Sequence, residues 1–201
     1  MSDQPRIPPR PVDEWTEEVD EAFASLGAPG GPRRPAAGPP RRPRSGILGI
    51  YAWHPAFIRG WMPFSRHLRF STLPDRVREM VIIRTAWLGY GEYEWSSHVK
   101  ISRKAGYLTE AEIDALAEGP DAATWAGADA AIVRAVDEMC VNKNVSDATW
   151  KLLEKQFSRE QLIDFTFTVG TYDMHCTVFS TLGLELDPGM TGFPESHRRG
   201  G

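Results

Sequence analysis

Eight residues near the middle of the chain, Gly91-Glu-Tyr-Glu-Trp-Ser-Ser-His98, bring together two carboxylates, a phenol, two hydroxyls and an imidazole. Such a cluster suits a metal site, a thiol relay that has lost its thiols, or acid–base work; its bland alternative is a solvated patch of helix surface. Glu94 and His98 stand four apart, so on a helix they share a face and can touch. A carboxylate against an imidazole raises the histidine pKa and fixes its tautomer, which places a proton donor or acceptor near neutral pH. Tyr93, about 100° round the helix from Glu94, could hydrogen-bond a substrate oxygen or merely pack. A metal would need further ligands, for which Asp173 and His175 of TYDMHC are candidates, but nothing in the sequence brings them to Glu94 and His98.

The elements that must position this cluster read as helices. DRVREMVIIRTAWLG places Val77, Met80, Val81, Arg84, Ala86 and Leu88 on a broad face buried on more than one side. Thr72-Leu-Pro-Asp75 before it resembles a capping box. The next helix runs through YEWSSHVKISRKAG to a glycine C-cap at Gly106. Thr109-Glu-Ala-Glu112 and Ser158-Arg-Glu-Gln161 read as capping boxes, and Ser146 as an N-cap. The stretch QLIDFTFTVGTYDMHCTVFSTLGL is rich in strand-favouring Thr, Val and Phe, yet its length after a capping box favours a buried helix. No run alternates with period two, so the body is expected to be all-α.

Length and composition fit one domain with an appended arm: 201 residues, 41% apolar, seven tryptophans. No apolar run approaches the roughly 20 residues of a membrane span, and MSDQPRIPPR lacks the apolar core of a secretion signal, so the expected location is cytoplasmic. A net charge of −4 gives no global attraction to nucleic acid or anionic membrane. Residues 27–45 carry five arginines and six prolines without an acid. They read as a basic linker, and the lack of aromatics to stack on bases argues against nucleic-acid binding. Before them, Trp15, Val19, Phe23 and Leu26 fall at helical spacing. The expected division is an N-terminal arm over 1–46, a helical domain over 47–190 and a flexible tail over 191–201. Cys140 and Cys176 form neither a CxxC pair nor a zinc pattern and read as buried thiols.

Taken in order, Leu73-Pro-x-Arg76-x-x-Glu79, Ile82-Ile-Arg84, Tyr93-Glu94-x-x-x-His98, Ala105-Gly106, Glu112-Ile113, Ala135-x-Asp137-Glu138, Gly170-x-Tyr172 and Leu182-Gly-Leu184 resemble the carboxymuconolactone decarboxylase family of the alkylhydroperoxidase D-like (AhpD-like) superfamily. The resemblance covers roughly Ile47 to Pro188. It implies an all-helical fold, homo-oligomers (trimer, hexamer or dimer) and a site around the YExxxH helix. In the redox branch the pattern is Glu, eleven residues, Cys-x-His-Cys, three residues, His. On this chain those positions hold Glu79, Gly91, Tyr93, Glu94 and His98, so both thiols are missing and no thiolate stands there to attack a peroxide. The decarboxylase branch works without metal or organic cofactor.

What the resemblance implies is a cofactor-independent enzyme, a lyase or isomerase acting on a small organic acid, lactone or aromatic metabolite. His98 would be the proton donor, Glu94 its orienter and Glu79 a second proton station. Tyr93, Tyr172 and His175 would line the substrate pocket. Arg84 would anchor a carboxylate, or equally form a structural ion pair with Glu79 or Asp75. Two further readings stay open: an antioxidant peroxidase using Cys140 or Cys176, and a non-catalytic oligomeric binding module. His54 and His67, in an aromatic segment, read as helix-end residues.

Overall fold

The computed structural model describes residues 5–24 and 46–197. Helices α1 (Glu17–Ala24) and α2 (Gly46–Tyr51) precede a bundle of α3 (Pro55–Arg69), α4 (Asp75–Leu88), α5 (Glu92–Ala105), α6 (Glu110–Glu118), α7 (Ala128–Asn142), α8 (Asp147–Leu153) and α9 (Arg159–Leu182), with 3₁₀ turns at Val12–Glu14 and Glu195–His197. No strand occurs among the described residues. The arginine-rich linker expected over 27–45, and Leu26 before it, lie outside those residues.

Helix α4 is the hub. It packs against α5, α6, α7 and α9, and its buried residues include Met80, Val81, Ile83 and Ala86, together with the charged Glu79 and Arg84. A central helix buried all round has almost no polar face to show, which is why its apolar residues spread around the helix instead of forming one stripe. Arg84 is held by Asp137 of α7, Nε to Oδ1 at 2.6 Å and Nη2 to Oδ2 at 2.8 Å, while Nη1 donates to the carbonyls of Leu116 and Ala117. The guanidinium therefore clamps α4, α6 and α7 together. Arg76, near the start of α4, similarly reaches Glu112 on α6 and Asp129 on α7.

Local signals set most helix ends. The Thr109 and Ser158 capping boxes both form, Ser146 caps α8, and Gly106 and Gly183 end α5 and α9 in the left-handed conformation. The box expected at Thr72–Asp75 does not form. Pro74 takes the N-cap without a side-chain cap, and Thr72 gives its N–H and its hydroxyl to Asp164 Oδ2 on α9, each at 2.8 Å. A tertiary partner has won over the local one. Helix α9 runs for 24 residues despite its β-favouring composition; burial of Phe165, Val169, Cys176 and Phe179 overrides propensity. His54 caps α3 and His67 lies in its last turn.

The first described segment is not separate from the body. Trp15, Val19 and Ala22 share a core with Ile50, Ile58 and Phe179, and the N–H groups of Arg6 and Ile7 donate to the carbonyl of Leu182. At the other end, the tail expected to be flexible is packed as far as it is described. Phe193 is buried, its N–H donates to Glu92 Oε1 at 3.0 Å, and His197 stacks on Trp87 with ring centroids 3.5 Å apart. Aromatic burial after a proline-interrupted loop leaves no periodic signal, so it was invisible in the sequence. No helix among the described residues is long and apolar enough to cross a membrane.

Asp164 shows the electrostatic cost of such ties. Burial alone would raise its pKa, but the Thr72 N–H, the His67 imidazole 2.7 Å away and the Thr72 hydroxyl together hold it below the usual carboxylate range. A folded-state pKa below the unfolded one contributes stability above about pH 4 that is lost as pH falls through the folded value. The stability gap between the wild type and Asp164→Asn should therefore close on acidification, as urea titrations between pH 7 and pH 3 would register. Arg84→Met should lower the unfolding free energy by about 3 kcal/mol, because it strands Asp137 and two carbonyls; chemical denaturation measures it.

Candidate active site

Glu79 and His98 meet where α4 crosses α5. Glu79 is 1% exposed. His98 Nδ1 lies 2.8 Å from Glu79 Oε2, Ser102 Oγ is 3.5 Å from the same oxygen, and Arg78 Nη2 is 3.4 Å from Oε1. With Glu79 ionised, His98 carries its proton on Nδ1 and donates it to the carboxylate. The ring is thereby oriented, and Nε2 is the nitrogen left outside that bond.

Glu94 stands differently from what the sequence suggests. Its Oε2 is 3.8 Å from His98 Nε2, an ion-pair distance without a hydrogen bond, so the residue orienting His98 is Glu79 and not Glu94. The helical i,i+4 spacing correctly places the two on one face, but the packing of α4 against α5 brings a nearer oxygen. Glu94 Oε1 instead lies 3.1 Å from His175 Nδ1 on α9. That contact also lacks hydrogen-bond geometry, and Glu94 Oε1 and both His175 nitrogens have no hydrogen-bond partner among the described residues. The line Glu79–His98–Glu94–His175 thus runs from α4 through α5 to α9.

Two clefts meet this line. The larger, about 670 Å³, is walled by His98, Glu79 and Tyr172, with Arg69, Arg78 and Lys104 supplying positive charge. Tyr172 sets its ring edge-on to His98, centroids 5.1 Å apart. Burial first, then the charges of Glu94 and Glu79, push its phenol well above the ordinary range, so it is a neutral O–H donor at physiological pH. Asp75 at the rim is held below its usual value by hydrogen bonds from Arg78 and Tyr107. The smaller cleft, about 410 Å³, is lined by Glu94, His175, Tyr93 and Cys176.

The sequence-derived candidates are thus divided between two places. Glu79, His98 and Tyr172 share the larger cleft, while Glu94, His175 and Tyr93 line the smaller one, where the Tyr93 hydroxyl donates to Asp187 at 2.7 Å. Arg84 belongs to neither. Its donors are engaged in the α4–α6–α7 clamp, so it is no carboxylate anchor, and its ionic partner is Asp137 instead of the Glu79 or Asp75 expected. The positive groups in the larger cleft are Arg69, Arg78 and Lys104, which sequence reasoning missed. Arg78 adjoins Glu79 in the motif, a signal that could have found it. Among the described residues no three His, Cys, Asp or Glu side chains are placed to hold a metal ion, and Asp173 pairs with Lys143 at 2.9 Å.

Position 91 has a steric explanation. A β-carbon placed on Gly91 would collide with Sγ of Cys176, which also crowds the equivalent position on Gly89. The α9 thiol fills the room that a side chain at 91 would need. Burial pushes that thiol up to about 12, and burial likewise moves Cys140 to about 11.

The all-helical bundle has the alkylhydroperoxidase D-like fold. Three solved structures share it. A peroxidase-related protein from Ralstonia eutropha JMP134 with an alkylhydroperoxidase AhpD core, itself uncharacterized, superposes with a TM-score of 0.69 at 16% identity, covering 94% of this chain and 95% of that one. A protein of unknown function from Agrobacterium tumefaciens, provisionally assigned to antioxidant defence as AhpD, gives 0.63 at 18% identity over 68% of this chain and 94% of that one. An uncharacterized peroxidase-related protein from Silicibacter sp. TM1040 gives 0.61 at 17% identity over 76% and 78%. Residues 55–138, the stretch that carries Glu79, Glu94 and His98, match the model of the carboxymuconolactone decarboxylase family. No curated protein matches the chain.

The raised thiol pKa values have a direct readout. At pH 8 iodoacetamide should label Cys140 on the order of 100-fold, and Cys176 on the order of 1000-fold, more slowly in the native protein than in denaturant, since only the thiolate reacts. Mass spectrometry of a timed reaction measures both rates.

Proposed function

We propose that the protein is a cofactor-independent acid–base enzyme of the carboxymuconolactone decarboxylase type, acting on a small organic acid, lactone or aromatic metabolite. The observation that carries this reading is the 2.8 Å hydrogen bond between buried Glu79 and His98 in the wall of the 670 Å³ cleft. An oriented imidazole with one free nitrogen moves a proton to or from a substrate carbon, and Glu79 stabilises the imidazolium that forms. Tyr172 supplies a neutral hydrogen bond to a carbonyl oxygen that gains negative charge. Arg69, Arg78 and Lys104 suit a carboxylate on the substrate. In a decarboxylation the carbon–CO₂ bond breaks, its electrons pass into the conjugated carbonyl, and protonated His98 returns a proton to carbon.

The names of the structural neighbours suggest peroxide reduction. That chemistry would require Cys140 or Cys176 as nucleophile, and burial of both keeps them as thiols at neutral pH. We therefore favour proton transfer at His98.

Assembly belongs to the same reading. Ile163, Phe167, Met174 and Val178 form an exposed apolar stripe on α9, and Phe167 and Met174 border an apolar groove with Trp61 and Phe64 of α3. A second copy of the chain is the occupant this reading assigns. Phe167→Glu should reduce the assembled mass in analytical ultracentrifugation, whereas an unchanged mass would separate this face from assembly.

Turnover on a panel of small lactone acids and aromatic carboxylates tests the catalytic reading. We expect His98→Ala to lower kcat by about 10²- to 10⁴-fold, with the helical circular-dichroism spectrum unchanged. Glu79→Gln should lower it more than Glu94→Gln, following the hydrogen bond. Equal turnover by wild type and His98→Ala would remove this site from the reaction.

A further inference from the structure

The smaller cleft is opposite in charge to the larger one. Its lining includes Glu92, Glu94 and Glu185, and no lysine or arginine among the described residues. Tyr90, Tyr93 and Phe179 supply aromatic surface, and Leu184 and Leu186 aliphatic surface. At about 410 Å³ it falls within the range of small-ligand pockets.

We propose that this cleft binds a small organic cation, an ammonium carried on an aromatic or apolar body. Glu94 decides the chemistry. It is 3% exposed, lines the cleft, and its Oε1 has no hydrogen-bond partner among the described residues, although His175 Nδ1 stands 3.1 Å away as an ion-pair contact. A buried carboxylate oxygen without a donor is costly, and a native fold normally supplies one. An ammonium brings up to three N–H donors and a full positive charge. Its charge complements the Glu94 carboxylate in the cleft wall, whose Oε1 is enclosed against His175 Nδ1. The aromatic rings then offer cation–π contact, and Glu185 at the exposed rim draws the cation in.

Two features could favour an anion instead, and both are answered. The α5 N-terminus, at Gly91–Glu92, attracts negative charge, but Glu92 and Glu94 in its own first turn already satisfy that preference. Arg6 lies near the far end of α9, but its guanidinium donates to the Thr181 carbonyl and does not line the cleft. The proposal does not depend on the chemistry assigned to His98, and either can fail alone.

Benzylammonium is the probe, with benzyl alcohol and benzoate as neutral and anionic counterparts, titrated against the full chain at pH 7.5 and followed by amide NMR. Benzylammonium should cause saturable shifts at residues 91–94 and 176–186 at millimolar concentration, exceeding those of both counterparts. Glu94→Gln should weaken binding about tenfold or more, the scale of one charge-assisted hydrogen bond. Glu185→Lys, an exposed change that leaves the core intact, should weaken it too and decides the matter if Glu94→Gln does not fold. Absence of saturable binding, benzoate binding as tightly, or affinity unchanged in both variants would overturn the proposal.

Discussion

A carboxylate at the centre of the molecule must be satisfied before anything else can be arranged around it. Glu79 sits on the most enclosed helix, and its oxygens are answered by His98 and, at longer range, by Ser102 and Arg78. An unpaired charge there would cost several kcal/mol, so α5 is constrained to present His98 at one crossing point over α4. The neighbouring packing serves that constraint. Arg76 and Arg84 lock α6 and α7 onto the other faces of α4, and α9 closes the remaining side, bringing Tyr172 and His175 against the same line of groups. Stability and orientation meet at one residue, because the bond that makes burial tolerable also aims the imidazole.

The charged residues of the sequence pattern therefore separate into two kinds. Arg76, Arg84, Glu112 and Asp137 are structural ties between helices, while Glu79 and His98 face a cleft. Spacing along the chain could not make that division. Arg84 and Arg78 both lie on α4 within one and a half turns of Glu79, and only the angular position of each relative to α7 or the cleft tells them apart. What a helix faces is a tertiary fact.

Legibility followed the range of the interaction. The helical class, the Thr109 and Ser158 boxes and the Gly106 cap were readable because their partners lie within a few residues. Thr72 was misread because its hydroxyl found Asp164, more than ninety residues away in sequence. The cluster residues were readable as types but not as pairs: i,i+4 geometry pointed to Glu94 for His98, and helix crossing supplied Glu79. The packed C-terminal segment had no periodicity to betray it. Phe193 and His197 are held by rings on α4 and α5 that no local pattern connects to them.

The close approach of Gly91 to Cys176 makes these two positions epistatic. Any side chain at 91 is sterically tied to what α9 carries at 176, since the sulfur and the missing β-carbon compete for one volume. A residue other than glycine at 91 is tolerated only as far as the side chain at 176, or the helix that carries it, gives way.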